Sequence, residues 1–408
     1  MSAKAYDLVL FGATGFTGGL VAEYLARRKV PGLRWALAGR DPEKLARARA
    51  RLVAIDPALE ALPIVNANSR DPLTLRALCE RTRVVCTTVG PYSLHGRDLV
   101  DACVREGSDY CDLTGEVPFV RDMIDQHHAA ARESKVRIVP SCGFDSIPSD
   151  LGVYMMHQAA AARGDQLRAV RLFVGEVSGG VSGGTIASMQ NMVEEASRDP
   201  ALRRLLMDPY ALSPGETGPD GRDQLGMGYD KDLGRFTGPF VMAAVNSRVV
   251  RRSNMLSGHA YGRDFRYSEV SSFPAGPAGF VKGALMTAGL GAAVAVLTSP
   301  LRRLVGGLLP QPGDGPSEEV RRNGSFRMRL IADLVSGARL YGVVEGRSDP
   351  GYGETAKMLS ESALCLLQDP PQPGFEGGVL TPAMAMGEAL LTRLRQAGMT
   401  FAVVPELP

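Results

Sequence analysis

The run LVLFGATGFTGGLVAEYL, residues 8–25, decides how the rest of the chain is read. A short apolar stretch leads into Gly12, Gly15 and Gly18, and an amphipathic segment follows. Glycine weakens strand and helix interiors, so three of them at a strand-to-helix handover need a reason. A G-x-x-G-x-x-G turn supplies one: it permits a tight turn, close ligand approach and close helix–strand contact. Its amides then face a pyrophosphate lying over the positive N-terminus of the first helix. The pattern alone is weak, but here it follows a strand, opens a helix and heads a βαβ unit. Thr14, Phe16 and Thr17, between and beside the glycines, are expected to share the contact.

The second strand should end in the residue that chooses the dinucleotide, an acid for a ribose hydroxyl or a cation for a 2′-phosphate. The sequence there is LAGRDPEKL, with Arg40 directly after Gly39 and Lys44 one helical turn on. Asp41 precedes Pro42 and suits the N-cap of a helix starting at proline. The expected cofactor is therefore NADPH, with Arg40 stacking on adenine and holding the phosphate. The fourth strand runs into TTVGPYSLHG, residues 87–96. Ligands of doubly wound sheets lie beyond the carboxyl ends of strands, so Thr88, Val89, Gly90 and Pro91 should border the nicotinamide. Tyr92 either touches the ring or substrate or packs as an ordinary tyrosine.

Around these motifs, residues 1–150 alternate apolar strands (7–12, 34–39, 62–66, 83–89, 109–113, 136–141) with helical stretches (15–28, 42–54, 72–81, 97–106, 117–134). That alternation predicts an α/β fold with an N-terminal Rossmann domain, a doubly wound parallel sheet. Residues 151–350 predict a second, α+β domain with a mixed sheet that shapes the substrate site. Its expected strands are 169–177, 240–250, 265–272, 324–335 and 338–346, with a glycine-rich turn at 178–185, a helix at 186–198 and a long loop or lid over 209–238. Residues 351–408 hold helices expected at 355–368 and 382–397, packing back on the first domain. The segment 280–310 is uncharged from Gly283 to Leu297 and is followed by Arg302 and Arg303. A buried or tunnel-lining helix, a surface-seated lipid contact and a membrane span all stay open for it.

Composition excludes several classes. Lys and Arg number 46 against 44 Asp and Glu, a net charge of +2, which argues against a general nucleic-acid binder. None of the six cysteines forms a C-x-x-C pair, and the adjacent His127 and His128 lack the spacing of a helical zinc pair, so no metal is expected. The first residues lack the pattern of a signal peptide, and a cytoplasmic protein is expected, with membrane association left open by 280–310.

GATGFTG (12–18), AGR (38–40), VGPYSLHGRDLVDACVREGSDYCDLTGE (89–116) and CGFDSIPSDLG (142–152) together resemble the saccharopine dehydrogenase-like oxidoreductases. SGGTIASM (182–189) and RRSNMLSGHAYGRDFRYSE (251–269) extend the likeness to the mycobacterial-type, trans-acting enoyl reductases. These serve polyketide synthases making phthiocerol-type lipids. The resemblance implies NADPH as hydride donor and reduction of an α,β-unsaturated acyl thioester held on a carrier domain. A homodimer stays open.

Enoyl reduction needs a donor aimed at the developing enolate oxygen. Tyr92 is one candidate, and the amides of Gly143, Phe144, Asp145 and Ser146 are others. Asp112, Thr114, Glu116, Asp145 and Ser146 either cap helices or take part in chemistry, His95 is either structural or an acid, and Cys142 lacks a neighbouring base. The chain has no tyrosine followed four residues later by lysine; Tyr24 and Arg28 come nearest. Two alternatives remain open: a saccharopine-type reductase of an amino-acid imine, using Arg248, Arg251, Arg252, Arg263 or Arg266 on substrate carboxylates, and a non-catalytic protein that binds NADPH and lipid. The same arginines would also suit an acidic carrier domain or a phosphopantetheine arm, or lie solvated on a sheet surface.

Overall fold

The computed structural model describes residues 4–178, 183–299 and 315–407. Its first sheet is parallel throughout. It contains β1 (Tyr6–Phe11), β2 (Trp35–Gly39), β3 (Ile64–Asn66), β4 (Thr82–Thr87), β5 (Asp109–Cys111), β6 (Arg137–Val139) and β13 (Gly378–Val379). The spatial order is β13-β6-β5-β4-β1-β2-β3, so β1 is central, with Leu8 opposite Trp35 and Phe11 opposite Thr87. Leu8, Val9 and Leu10 are fully buried, which requires cover on both faces and explains the unbroken apolar run. The covering helices include α1 (Phe16–Arg28), α2 (Pro42–Val53), α3 (Pro72–Glu80), α4 (Tyr92–His95), α5 (Arg97–Glu106) and α6 (Val117–Glu133). Asp-Pro starts α2 and α3: Asp41 accepts from the Lys44 amide (3.0 Å) and Asp71 from the Leu73 amide (3.1 Å).

After α7 (Ile147–Ala161) the chain builds a mixed sheet of β7 (Leu167–Ser178), β8 (Gly228–Asp230), β9 (Arg235–Gly238), β10 (Arg266–Phe273), β11 (Ser325–Leu334), β12 (Arg339–Gly346) and β14 (Thr400–Val404). Its order is β14-β12-β11-β7-β10-β9-β8, with β7 and β10 parallel and the other neighbours antiparallel. Helices α8 (Gly183–Arg198), α9 (Pro200–Met207), α10 (Ala243–Leu256), α11 (Pro277–Thr298) and α12 (Glu318–Asn323) belong to this half. α13 (Thr355–Gln368) packs on α1, β4 and β5, and α14 (Pro382–Gln396) packs on α7 and α13. One apolar core runs from Leu10 and Val84 through Met156 and Leu364 to Leu172 and Leu330, so the two sheets share their interior.

Several expectations need correcting. Residues 240–250 were expected as a strand, but 243–250 form the start of α10. The β-branched Val245, Val249 and Val250 mimic a strand, but their side chains bury one side of a helix whose arginines reach acids in the preceding loop. The expected lid at 209–238 instead contributes the β8–β9 hairpin to the second sheet, and Asp220 and Asp223 pin it down. The short strands β13 and β14 were not foreseen. Residues 179–182 of the glycine-rich turn and 300–310 of the apolar segment lie outside the described residues. The described part of that segment is not a buried helix: Phe280, Val281, Leu285 and Met286 of α11 are 47–69% exposed. No helix among the described residues is long and apolar enough to cross a membrane.

Candidate active site

A cleft of about 800 Å³ opens over the carboxyl ends of the first sheet, within the size range of small-molecule sites. Gly12, Thr14, Gly15, Phe16, Thr17 and Gly18 form its middle. Gly12 has φ +97°, and a Cβ there would stand 2.8 Å from both Thr88 Oγ1 and Val89 Cγ2. A Cβ on Gly18 would lie 2.1 Å from the Gly12 carbonyl oxygen. Side chains are therefore excluded from this turn by its own backbone and by the β4 loop. Gly15, the N-cap of α1, offers no side-chain acceptor, so the first-turn amides are left for an anion.

On the β2–β3 side the lining residues are Arg40, Lys44, Ser69, Arg70 and His95. Arg40 and Arg70 are exposed, and neither guanidinium is paired with a carboxylate among the described residues. Asp41 is occupied as the N-cap of α2, with its pKa held down mainly by the Lys44 amide. Among the described residues this corner has two free cations and no free acid, which suits a 2′-phosphate, so the residues present fit NADPH. Arg70 was not foreseen; its place shortly after the third strand is the signal that points to it. His95 was weighed as an acid, but it belongs to this corner: its Nδ1 is 3.4 Å from Ser69 Oγ. Burial, then Arg70 and Arg40, lower its pKa, so it is a poor proton source.

On the β4–β6 side the lining comprises Thr88, Val89, Gly90, Tyr92, Leu113, Gly115, Glu116, Asp145, Ser188, Met192, Val241, Met242, Ala244 and Val245. Pro91, Gly143, Phe144 and Ser146 do not line it, contrary to expectation. They hold their neighbours instead. Gly143 packs against Thr355, whose Oγ1 accepts the Phe144 amide (3.1 Å), and the Phe144 ring meets Phe326 at 4.9 Å. Ser146 Oγ donates to Asn246 Oδ1 (3.2 Å), and Asn246 and Ser149 both reach Glu269. Burial raises the Glu269 pKa to about 7.

Tyr92 needs a second correction. Its ring lines the cleft, but its hydroxyl donates to the Thr87 carbonyl oxygen (3.3 Å). Burial, then Asp112, hold the phenol pKa well above its ordinary value, so the hydroxyl is not free to act as an acid. The DLTGE stretch forms a tight knot. Asp112 accepts from Tyr110 (2.6 Å) and from the Thr114 and Ser141 amides, while Thr114 Oγ1 accepts the Glu116 amide. Glu116 does cap a helix, though not its own: it accepts the Tyr92 and Ser93 amides at the start of α4 (2.8 and 2.9 Å) and the Ser188 hydroxyl (2.8 Å). Cys142 is fully buried, and burial followed by Asp112 pushes its thiol pKa up, so it is inert. All six cysteines are free and buried.

The second-domain arginines are not at this site. Arg248 pairs with Asp223, and Arg251 with Asp220 at 2.6 Å. Arg252 donates to the Leu212 and Val379 carbonyl oxygens at 2.6 Å. All three are 5% exposed or less, so they are neither a carboxylate clamp nor solvated surface charges. Tyr24 and Arg28 both bond Glu361 of α13 and so tie α1 to it. Among the described residues no group of side chains has the makings of a metal site.

The model of the saccharopine dehydrogenase NADP-binding domain matches residues 8–139. A Mycobacterium tuberculosis relative provisionally named a trans-acting enoyl reductase is 43% identical over 411 residues, covering 98% of this chain and 97% of its own. A Mycobacterium ulcerans protein named a trans-acting enoyl reductase is 40% identical over 413 residues, covering 98% of each chain. In fold, the chain is similar to apo saccharopine dehydrogenase (L-Glu forming) from Saccharomyces cerevisiae, with a TM-score of 0.53 and 12% identity over 98% of this chain and all of that one. The chain thus belongs to the trans-acting enoyl reductase branch of the saccharopine dehydrogenase-like family, and it is an oxidoreductase that uses NADPH.

Proposed function

We propose that this protein reduces an α,β-unsaturated acyl thioester presented on an acyl carrier domain of a polyketide synthase. The observation that carries this reading is the lining of the β4–β6 side of the cleft. Leu113, Met192, Val241, Met242, Ala244 and Val245 make it apolar, and among the described residues its lining includes no lysine or arginine. Such a wall suits an acyl chain. An imine built from amino acids carries several carboxylates and needs fixed cations; of the arginines that would have served, Arg248, Arg251 and Arg252 are buried and engaged elsewhere, and the exposed Arg263 and Arg266 do not line the cleft. The names of the relatives point the same way.

When bound, NADPH supplies a hydride to the β carbon of the substrate. The chain's part is to bind, orient and stabilise. Arg40, Arg70 and Lys44 would hold the adenosine phosphate, and the glycine turn with the N-terminus of α1 would hold the diphosphate. Glu116 fixes α4 and α8 relative to each other, which sets the wall of the reacting half. Helix α10 enters the cleft by its N-terminus, through Val241, Met242, Ala244 and Val245, and its N-cap Met242 offers no side-chain acceptor. Its positive end favours negative charge on the thioester oxygen.

The exposed apolar residues of α11 support contact with a lipid surface as part of the same reading, in the cytoplasm beside the synthase. The test is NADPH consumption by purified protein given a 2-enoyl group on a carrier domain, with the product weighed by mass spectrometry. The reading expects equal amounts of oxidised cofactor and saturated acyl product. Consumption with a keto acid and an amino acid, and none with the enoyl carrier, would overturn it.

A further inference from the structure

Reduction of the double bond places a proton on the α carbon, and the groups in the reacting half of the cleft narrow its source to one side chain. Tyr92 donates to Thr87, Ser188 to Glu116, and Thr88 Oγ1 to the Gly12 carbonyl oxygen. Glu116 holds two amides and a hydroxyl. Asp112 lies behind the wall and is saturated by three donors. Asp145 differs from all of these. It lines the cleft, is half-buried, and its carboxyl makes no hydrogen bond or ion pair with any described residue.

The loop aims it there. On its N-terminal side Gly143 and Phe144 are fastened to Thr355, and on its C-terminal side Ser146 is fastened to Asn246. Asp145 thus projects from a rigid β6–α7 connection on the same side of β1 as Thr88, Val89 and Gly90. A carboxyl that stabilised the fold would have partners, and one that served only solubility would be exposed.

We propose that Asp145 is the proton donor of the reaction. The proposal rests on the enoyl-reductase reading above. As hydride reaches the β carbon, the carbon–carbon π electrons move to form the thioester enolate. When the enolate collapses, its α carbon takes the proton from the Asp145 carboxyl; one C–H bond forms, one O–H bond breaks, and the carboxylate remains. The cofactor is oxidised by two electrons and the acyl chain is reduced by two. Water at the cleft mouth returns the proton to Asp145. Desolvation, then the charge of Asp112, raise the Asp145 pKa to about 7, so the acid form is populated at neutral pH.

The test compares wild type, Asp145→Asn and Asp145→Glu in heavy water with an α-methyl-branched enoyl group on a carrier domain. NADPH fluorescence is titrated in parallel. Wild type should place deuterium on one face of the α carbon. Asp145→Asn should bind NADPH as wild type does, lose on the order of 100-fold in kcat, and yield product of mixed α configuration as water protonates the enolate. Asp145→Glu should restore part of both rate and configuration. An Asp145→Asn protein with wild-type kcat and configuration would overturn the proposal while leaving the enoyl-reductase reading intact. Loss of NADPH binding in that variant would also overturn it, by showing a structural role. No reduction by wild type would overturn the reading and the proposal together.

Discussion

The two ends of the cleft are built on opposite plans. At the β2–β3 end, Arg40 and Arg70 are exposed and unpaired among the described residues, and the backbone is shaped by glycine. At the β4–β6 end, nearly every polar group is bound within the chain, the wall is apolar, and Asp145 is the one lining carboxyl with no partner among the described residues. The first end is arranged to receive a ligand's charge. The second is arranged to be dry, so that a single proton and a single dipole weigh heavily. A cofactor that is held and a substrate that must react call for these different environments.

The largest expected break in this contrast is Gly18→Val. The new Cβ cannot avoid the Gly12 carbonyl oxygen, so the turn must open, and NADPH binding by fluorescence should fall below detection. Next is Asp220→Ala, away from the cleft. It leaves Arg251 buried without its carboxylate, which costs about 3–5 kcal/mol in denaturant unfolding. Arg40→Ala and Arg70→Ala should each weaken NADPH by roughly 1.5–3 kcal/mol, the value of a hydrogen bond to a charged group. NADH affinity should fall much less, since NADH lacks the phosphate and loses at most the contact of Arg40 with adenine.

A further effect concerns pH and stability. The folded-state pKa of Asp145 is raised from 3.8 to about 7, so folding favours the protonated form. Its contribution is therefore intact in acid and diminishes as pH rises through that window. Asn cannot ionise, so Asp145→Asn should gain melting temperature relative to wild type at about pH 8, compared with about pH 5. Asp150 and Glu269 also titrate high because of burial, but they are common to both proteins and cancel; Asp112 repels the Asp145 carboxylate, so removal of that repulsion in Asp145→Asn adds to the gain in the same direction.

The cofactor end could be read from the sequence because its function lies in local backbone. A glycine turn, an Asp-Pro cap and a cation just past a strand are each set within a few residues of one another. Arg70 needed only the same rule applied to the third strand. The reacting end was less legible because its roles depend on partners distant in the chain. Tyr92 and Glu116 look equally catalytic in one dimension; contacts with Thr87 and Ser188 decide that their polar atoms are engaged. The arginines of α10 show the same limit. A run of Arg248, Arg251 and Arg252 resembles a ligand clamp until Asp220, Asp223 and the Leu212 and Val379 carbonyl oxygens fold onto it. Helix α10 itself was mistaken for a strand because valine pairs carry strand propensity, while the burial that favours the helix is tertiary.

The measurement that bears most directly on the whole account is the fate of the hydride. NADPH labelled with deuterium at the transferred position would be incubated with the protein and an enoyl group on a carrier domain, and the released acyl chain analysed by mass spectrometry and NMR. The account predicts one deuterium, located at the β carbon of the saturated product. Label at the carbon of an amine, or cofactor oxidised with no label in the acyl chain, would contradict it.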